Sequence, residues 1–135
     1  MKHFFADSYI TINIIFAGII LLIIVYSGIF SAEKDNHIIK SACVEITGKP
    51  CKSIGLSRSF SEIVRLRFES AKQYNQYGLK VFSFFFFQFF MRLGFTKLLI
   101  NTTLKRKPVL YTDIIASILL FLVTFADFLK FWEPY

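Results

Sequence analysis

YITINIIFAGIILLIIVYSGIF, residues 9–30, runs for 22 residues without a charge. At about 1.5 Å per residue, a helix of that length crosses a hydrocarbon core of about 30 Å. Asn13 and the small residues Gly18 and Gly28 are its only unusual features. A signal peptide is the competing reading. The apolar run is too long for an ordinary signal core, however, and Phe30-Ser31-Ala32 lacks the small-x-small cleavage pattern. The expectation is a transmembrane anchor, and it sets the fold class for the rest of the chain.

Composition agrees. The chain has 135 residues, of which 55% are hydrophobic and 18 are Phe, with a mean hydropathy of +0.55. A soluble domain of this size has too much surface for its volume to hide that much apolar area, whereas a bilayer accepts it. The formal net charge is +7, and the basic residues lie mainly outside the apolar runs. In a membrane protein such charge sets orientation and meets anionic lipid heads. Nucleic-acid binding would require a basic reading module, and none is recognisable.

Two further spans are expected at residues 79–100 and 110–132. The polar stretch Asn101-Thr-Thr-Leu-Lys-Arg-Lys-Pro108 joins them, with Pro108 resetting the chain. A connection this short makes the two spans antiparallel neighbours. Residues whose numbers sum to roughly 210 then share a depth, by the common rise of two antiparallel helices. That rule pairs Lys97 with Asp113 and brings Lys80 near Asp127, giving two expected ion pairs. Arg92 falls near the middle of the second span, level with Ser117 or Ile118. An unpaired arginine there costs several kcal/mol. Gln88 lies on the same face at the i, i+4 spacing, and Asn13 of the first span reaches the same depth. Two readings follow: a polar site within the membrane or facing another subunit's acid, and a tilted span that leaves Arg92 near the headgroups.

Charge bias points both ways, because the segment 31–78 carries more Lys and Arg in total than the turn before the third span. The dense Lys105-Arg106-Lys107 cluster follows a span directly and favours the cytoplasm. The long segment 31–78 mixes its cations with Glu33, Asp35, Glu45, Glu62 and Glu69, and long segments translocate more readily. The expectation is a bacterial inner-membrane protein with a cytoplasmic N-terminus and a periplasmic loop.

Within that loop, Thr47-Gly48-Lys49-Pro50 reads as a turn, since Gly permits positive φ and Pro presets its own. Cys43 and Cys51 flank it, so a disulfide is the expected use of the cysteines in an oxidising compartment, and free thiols in a reducing one. Gly55 follows as a second turn point. Ser59-Phe-Ser-Glu62 fits a capping box, which predicts one helix over residues 60–75 lying along the membrane surface. Its apolar stripe is Phe60, Val64, Phe68 and Ala71, with Arg65–Glu69 as an i, i+4 ion pair. Arg58 stands at the start of this helix, where a cation opposes the dipole. It therefore needs a partner, either a carboxylate such as Glu62 or Glu69, or an anion such as a lipid phosphate held with the backbone N–H groups of residues 55–59.

The residues Cys43, Thr47-Gly48, Pro50-Cys51, Gly55, Ser57-Arg58, Ala71 and Asn75 resemble the motif of the bacterial membrane-protein family called domain of unknown function 2752. The resemblance covers residues 43–78 and, by pattern only, the flanking spans. The candidate anion or lipid contact site is Thr47, Gly48, Pro50, Gly55, Ser57, Arg58, Ser59 and Asn75, and the resemblance itself implies no activity. Two family positions depart: the third cysteine is Ile54 here, and the proline after Asn75 is Gln76. With Ile54 in that place the ligands for a zinc site are too few, so neither metal nor cofactor is expected.

The predicted whole is an all-α integral membrane protein with three transmembrane helices, a Cys-containing loop and a short amphipathic surface helix, forming a single membrane domain over residues 1–135. No nucleophile, base and orienting group stand together. The leading functional expectation is a small non-enzymatic accessory or scaffolding subunit of an inner-membrane complex, contacting other membrane proteins and anionic phospholipid but no nucleic acid. The alternatives are a membrane-surface enzyme using Cys51 and Arg58 on a thiol or lipid-linked phosphate, and a transport component using Gln88 and Arg92.

Overall fold

The computed structural model describes residues 8–30, 53–101 and 106–129. The described chain is all-α, with five helices: α1 Ser8–Ile29, α2 Leu56–Val64, α3 Phe68–Tyr74, α4 Gly78–Asn101 and α5 Arg106–Leu129. Helices α1, α4 and α5 are long and apolar enough to cross a membrane, with mean hydropathies of 2.6, 1.3 and 2.2. The protein is thus an all-α, multi-pass membrane protein.

The boundaries of α1 and α4 lie within a residue of the expectation; α5 differs at its start, and its expected end at 132 lies outside the described residues. That helix begins at Arg106, and Pro108 sits inside its first turn. Proline is tolerated there because the first N–H groups of a helix have no intrahelical partner to lose. Pro108 therefore belongs to the helix rather than to the turn before it.

The predicted single helix over residues 60–75 is a second correction: it is two helices broken at residues 65–67. The N–H of Leu66 donates to the Ile63 carbonyl at 2.9 Å, and that of Arg67 to the Glu62 carbonyl at 2.9 Å. This is a Schellman ending with Leu66 at the left-handed position, φ 61°. Glycine normally marks such a stop, and its absence makes the break invisible in the sequence. Ser59 is not a cap either. Helix α2 starts earlier, with Gly55 as N-cap (φ 76°, ψ 5°) and no side-chain capping bond.

The chain divides into two compact units, Met1–Leu21 with Phe84–Tyr135, and Leu22–Ser83. In the first, the inward face of α1 is Ile10, Asn13 and Ala17, and Gln88, Thr96, Val109, Asp113 and Thr124 are buried on α4 and α5. Phe84 meets Phe125 edge-on at 5.3 Å, and Phe125 stacks on Phe121 at 4.8 Å. Phe86, Phe87 and Phe90 point outward. The aromatic run of α4 thus splits between an internal contact and an outer surface. In the second unit, Phe60 meets Phe82 edge-on at 5.3 Å, and a side chain built at Gly28 would just touch Val64, at 3.6 Å.

Candidate functional site

The first unit holds a cluster of polar side chains centred on Arg92. Each of its three helices supplies two residues four apart, and so stacked on one face: Tyr9 and Asn13 on α1, Gln88 and Arg92 on α4, Asp113 and Ser117 on α5. Arg92 Nη1 donates to Asp113 Oδ2 at 2.6 Å and to Asn13 Oδ1 at 3.0 Å. Its Nη2 donates to Ser117 Oγ at 2.8 Å and to Gln88 Oε1 at 3.1 Å. Asp113 is similarly surrounded: Oδ2 also accepts the Tyr9 hydroxyl at 2.6 Å, and Oδ1 the Ser117 hydroxyl at 3.3 Å. The Phe16 ring lies 5.8 Å from the guanidinium carbon, within cation–π range.

Burial makes these contacts matter. The Arg92 side chain is 17% exposed and that of Asp113 2%. Along the helix axes, Arg92 lies about 4 Å from the midpoint of α4, and Ser117 about 1 Å from that of α5, at the usual rise. Low polarity strengthens each charged hydrogen bond and makes an unpaired charge there costly. The fork of the guanidinium suits the task, since a single side chain links three helices. Asn13 Nδ2 and Thr96 Oγ1 are buried without a hydrogen-bond partner.

Gln88, Asn13 and Ser117 meet Arg92 as the depth and face rules require. The expected Lys97–Asp113 pair does not form: Asp113 is bound to Arg92, and Lys97 is exposed. Five residues on a helix correspond to about 140° around its axis, so Arg92 and Lys97 cannot both face α5. The acid facing Arg92 is in the same chain. Tyr9 was missed, although its i, i+4 relation to Asn13 was available. Asp127 is half-buried on α5, and Lys80 is exposed at the start of α4.

In the second unit, the described motif residues form a tight corner. A Cβ on Gly55 would lie 2.3 Å from the Tyr74 carbonyl oxygen, so only glycine fits. Asn75 holds the corner from both sides. Its Nδ2 donates to the Ile54 carbonyl at 2.8 Å, and its Oδ1 accepts the Tyr77 N–H at 2.8 Å. Ser59 is fully buried against Gly78, leaving no room for a Cβ at that glycine. Ser57 and Arg58 are half-buried in the first turn of α2. Both candidate carboxylate partners of Arg58 have other partners: Glu62 is bound bidentately by Arg67, at 2.8 and 2.9 Å, and Glu69 by Lys72 at 3.0 Å. Cys43, Thr47, Gly48, Pro50 and Cys51 lie outside the described residues.

Arg65 corrects a further expectation. Rather than pairing with Glu69, it crosses to the end of α1. Its Nη2 donates to the Gly28 carbonyl at 2.9 Å, and its Nη1 lies 3.3 Å from the Ser27 carbonyl and 3.4 Å from that of Phe30. The Ser61 hydroxyl also donates to the Phe30 carbonyl. The last carbonyls of a helix lack intrahelical donors and carry partial negative charge, so a guanidinium placed there satisfies both needs.

Among the described residues, no group of three or more His, Cys, Asp and Glu converges to hold a metal ion. Comparison with protein families, curated proteins and solved structures gives no match to this chain.

Proposed function

We propose that the protein is a small non-enzymatic accessory or scaffolding subunit of a bacterial inner-membrane complex. One observation carries this reading: the shielded ion pair of the first unit, Arg92 and Asp113, is bound within itself and to side chains of the same chain. The cluster therefore acts as a staple for α1, α4 and α5. What the helices of this unit present outward is Ile, Leu, Val and Phe, among them Ile15, Ile19, Phe87, Phe90, Ile118 and Val123. A rigid unit with apolar outer faces suits contact with neighbouring membrane helices through close packing. The likeness of residues 43–78 to the uncharacterised bacterial membrane family fits this assignment, and Lys105-Arg106-Lys107 favours a cytoplasmic N-terminus with the Cys-bearing loop in the periplasm.

The test is purification of the tagged full chain in mild detergent, with mass spectrometry of co-purifying chains and lipids. A protein partner in fixed stoichiometry supports the subunit reading. A chain that purifies alone with one phospholipid species overturns it and moves attention to Arg58 and Cys51. Reporter fusions at residues 45 and 104 check the orientation.

A further inference from the structure

Leu66 is unfavourable to the fold in two ways. It sits at the left-handed position of the α2 ending, φ 61°, which L side chains rarely adopt and glycine occupies readily. It is also 75% exposed, and Phe68, two residues on, is 43% exposed. Glycine would relieve the backbone and expose less apolar surface. Neither effect is offset by side-chain burial within its own unit, and an observed strained residue points to a use outside it.

The surroundings identify that exterior. Arg65, the neighbour of Leu66, is bound to the terminal carbonyls of α1. Helix α4 begins at Gly78, only four residues after α3 ends at Tyr74. Leu66 is therefore tied to the ends of two helices that are long and apolar enough to span a bilayer. Tyr26, Tyr74 and Tyr77, half-buried rings with a polar tip, lie near those same ends, and tyrosine concentrates at headgroup level. Residues 53–83 carry five cations, Arg58, Arg65, Arg67, Lys72 and Lys80, against two carboxylates, Glu62 and Glu69. This balance suits a phosphate-bearing surface.

We propose that Leu66, with Phe68, is an interfacial anchor: the α2–α3 break dips into the boundary between headgroups and acyl chains of a phospholipid leaflet, with the surrounding cations at phosphate level. The apolar side chains bury at the depth typical of interfacial helices. The left-handed backbone of Leu66 aims its side chain away from the unit rather than into it.

The experiment uses the full chain in nanodiscs of phosphatidylcholine with phosphatidylglycerol, without any partner protein. Trp132, the single tryptophan, is first replaced (Trp132→Phe), and Leu66→Trp then supplies the probe. The expected result is blue-shifted emission, loss of most fluorescence when the lipids carry bromine on their acyl chains, and little quenching by aqueous acrylamide. Emission typical of water with full acrylamide access overturns the proposal, and assigns the exposed pair to a protein surface instead. Should the tryptophan variant not fold, hydroxyl-radical footprinting of the unaltered chain in the same nanodiscs decides. Protection of Leu66 and Phe68 supports the anchor, and labelling to the level of exposed side chains overturns it.

Discussion

Arg92 and Asp113 are held 2.6 Å apart, both shielded from solvent, and the carboxylate oxygen they share also receives the Tyr9 hydroxyl. The pair thereby fixes α4 to α5, while its hydrogen bonds to Asn13 and Tyr9 draw in α1.

Arg92→Ala and Asp113→Ala should each cost about 3–5 kcal/mol, because each leaves the other charge buried and unpaired. The double variant Arg92→Met/Asp113→Leu should recover most of that loss, since apolar replacements of similar volume remove both charges together. Lys97→Ala should change stability by less than about 0.5 kcal/mol, as expected for an exposed side chain. Thermal unfolding in one detergent measures all four. A large effect at Lys97 with none at Arg92 would restore the pairing expected from depth alone.

Gly55→Ala should prevent the corner from closing, because the added Cβ meets the Tyr74 carbonyl and the backbone is left-handed. Gly55→Asn separates the two causes. Asparagine tolerates positive φ, so rescue by Asn would show that conformation alone matters. Failure of both variants, read from expression and monodispersity in detergent, is the expected outcome.

Asn75→Ala removes both hydrogen bonds of the corner, to Ile54 and from Tyr77. At roughly 1 kcal/mol per bond, with a penalty for groups left unpaired, a loss of about 2–3 kcal/mol follows. Urea titration of the solubilised protein, followed by circular dichroism, would register it.

Leu66→Gly should stabilise the protein in detergent by about 1 kcal/mol, the usual cost of placing an L residue in the left-handed region. Destabilisation of that size would mean the leucine side chain supports its own unit after all.

Much of the polar cluster was legible in the sequence. Depth matching left Ser117 and Ile118 both level with Arg92, and the structure selects Ser117; the i, i+4 rule gave Gln88, and span length brought Asn13 level. Depth failed for Lys97 because it ignores the direction a side chain takes around its helix. Tyr9 required the same periodicity on α1, and was overlooked because it lies at the very edge of the apolar run. The α2–α3 break was hidden for a different reason. Its backbone needs a residue that tolerates positive φ, and the chain supplies leucine, which signals continuation. Arg65 likewise carried no local mark of its role, since its acceptors at the end of α1 lie 35 to 38 residues away in sequence.

The placement of Arg92 also bears on how the chain enters a bilayer. Helix α4 is the least apolar of the three spans, and during synthesis it emerges before Asp113 and Ser117 exist. Asn13 and Gln88 are uncharged and cannot neutralise its guanidinium. Translation of α5 supplies the missing acid, so the two helices should enter the lipid as a hairpin rather than in turn. A chain stopped before α5 should leave α4 poorly inserted in a glycosylation-reporter assay, and extension through Ser117 should restore insertion. On this expectation the arginine makes the order of synthesis part of the protein's topology, with α5 deciding whether α4 stays in the membrane.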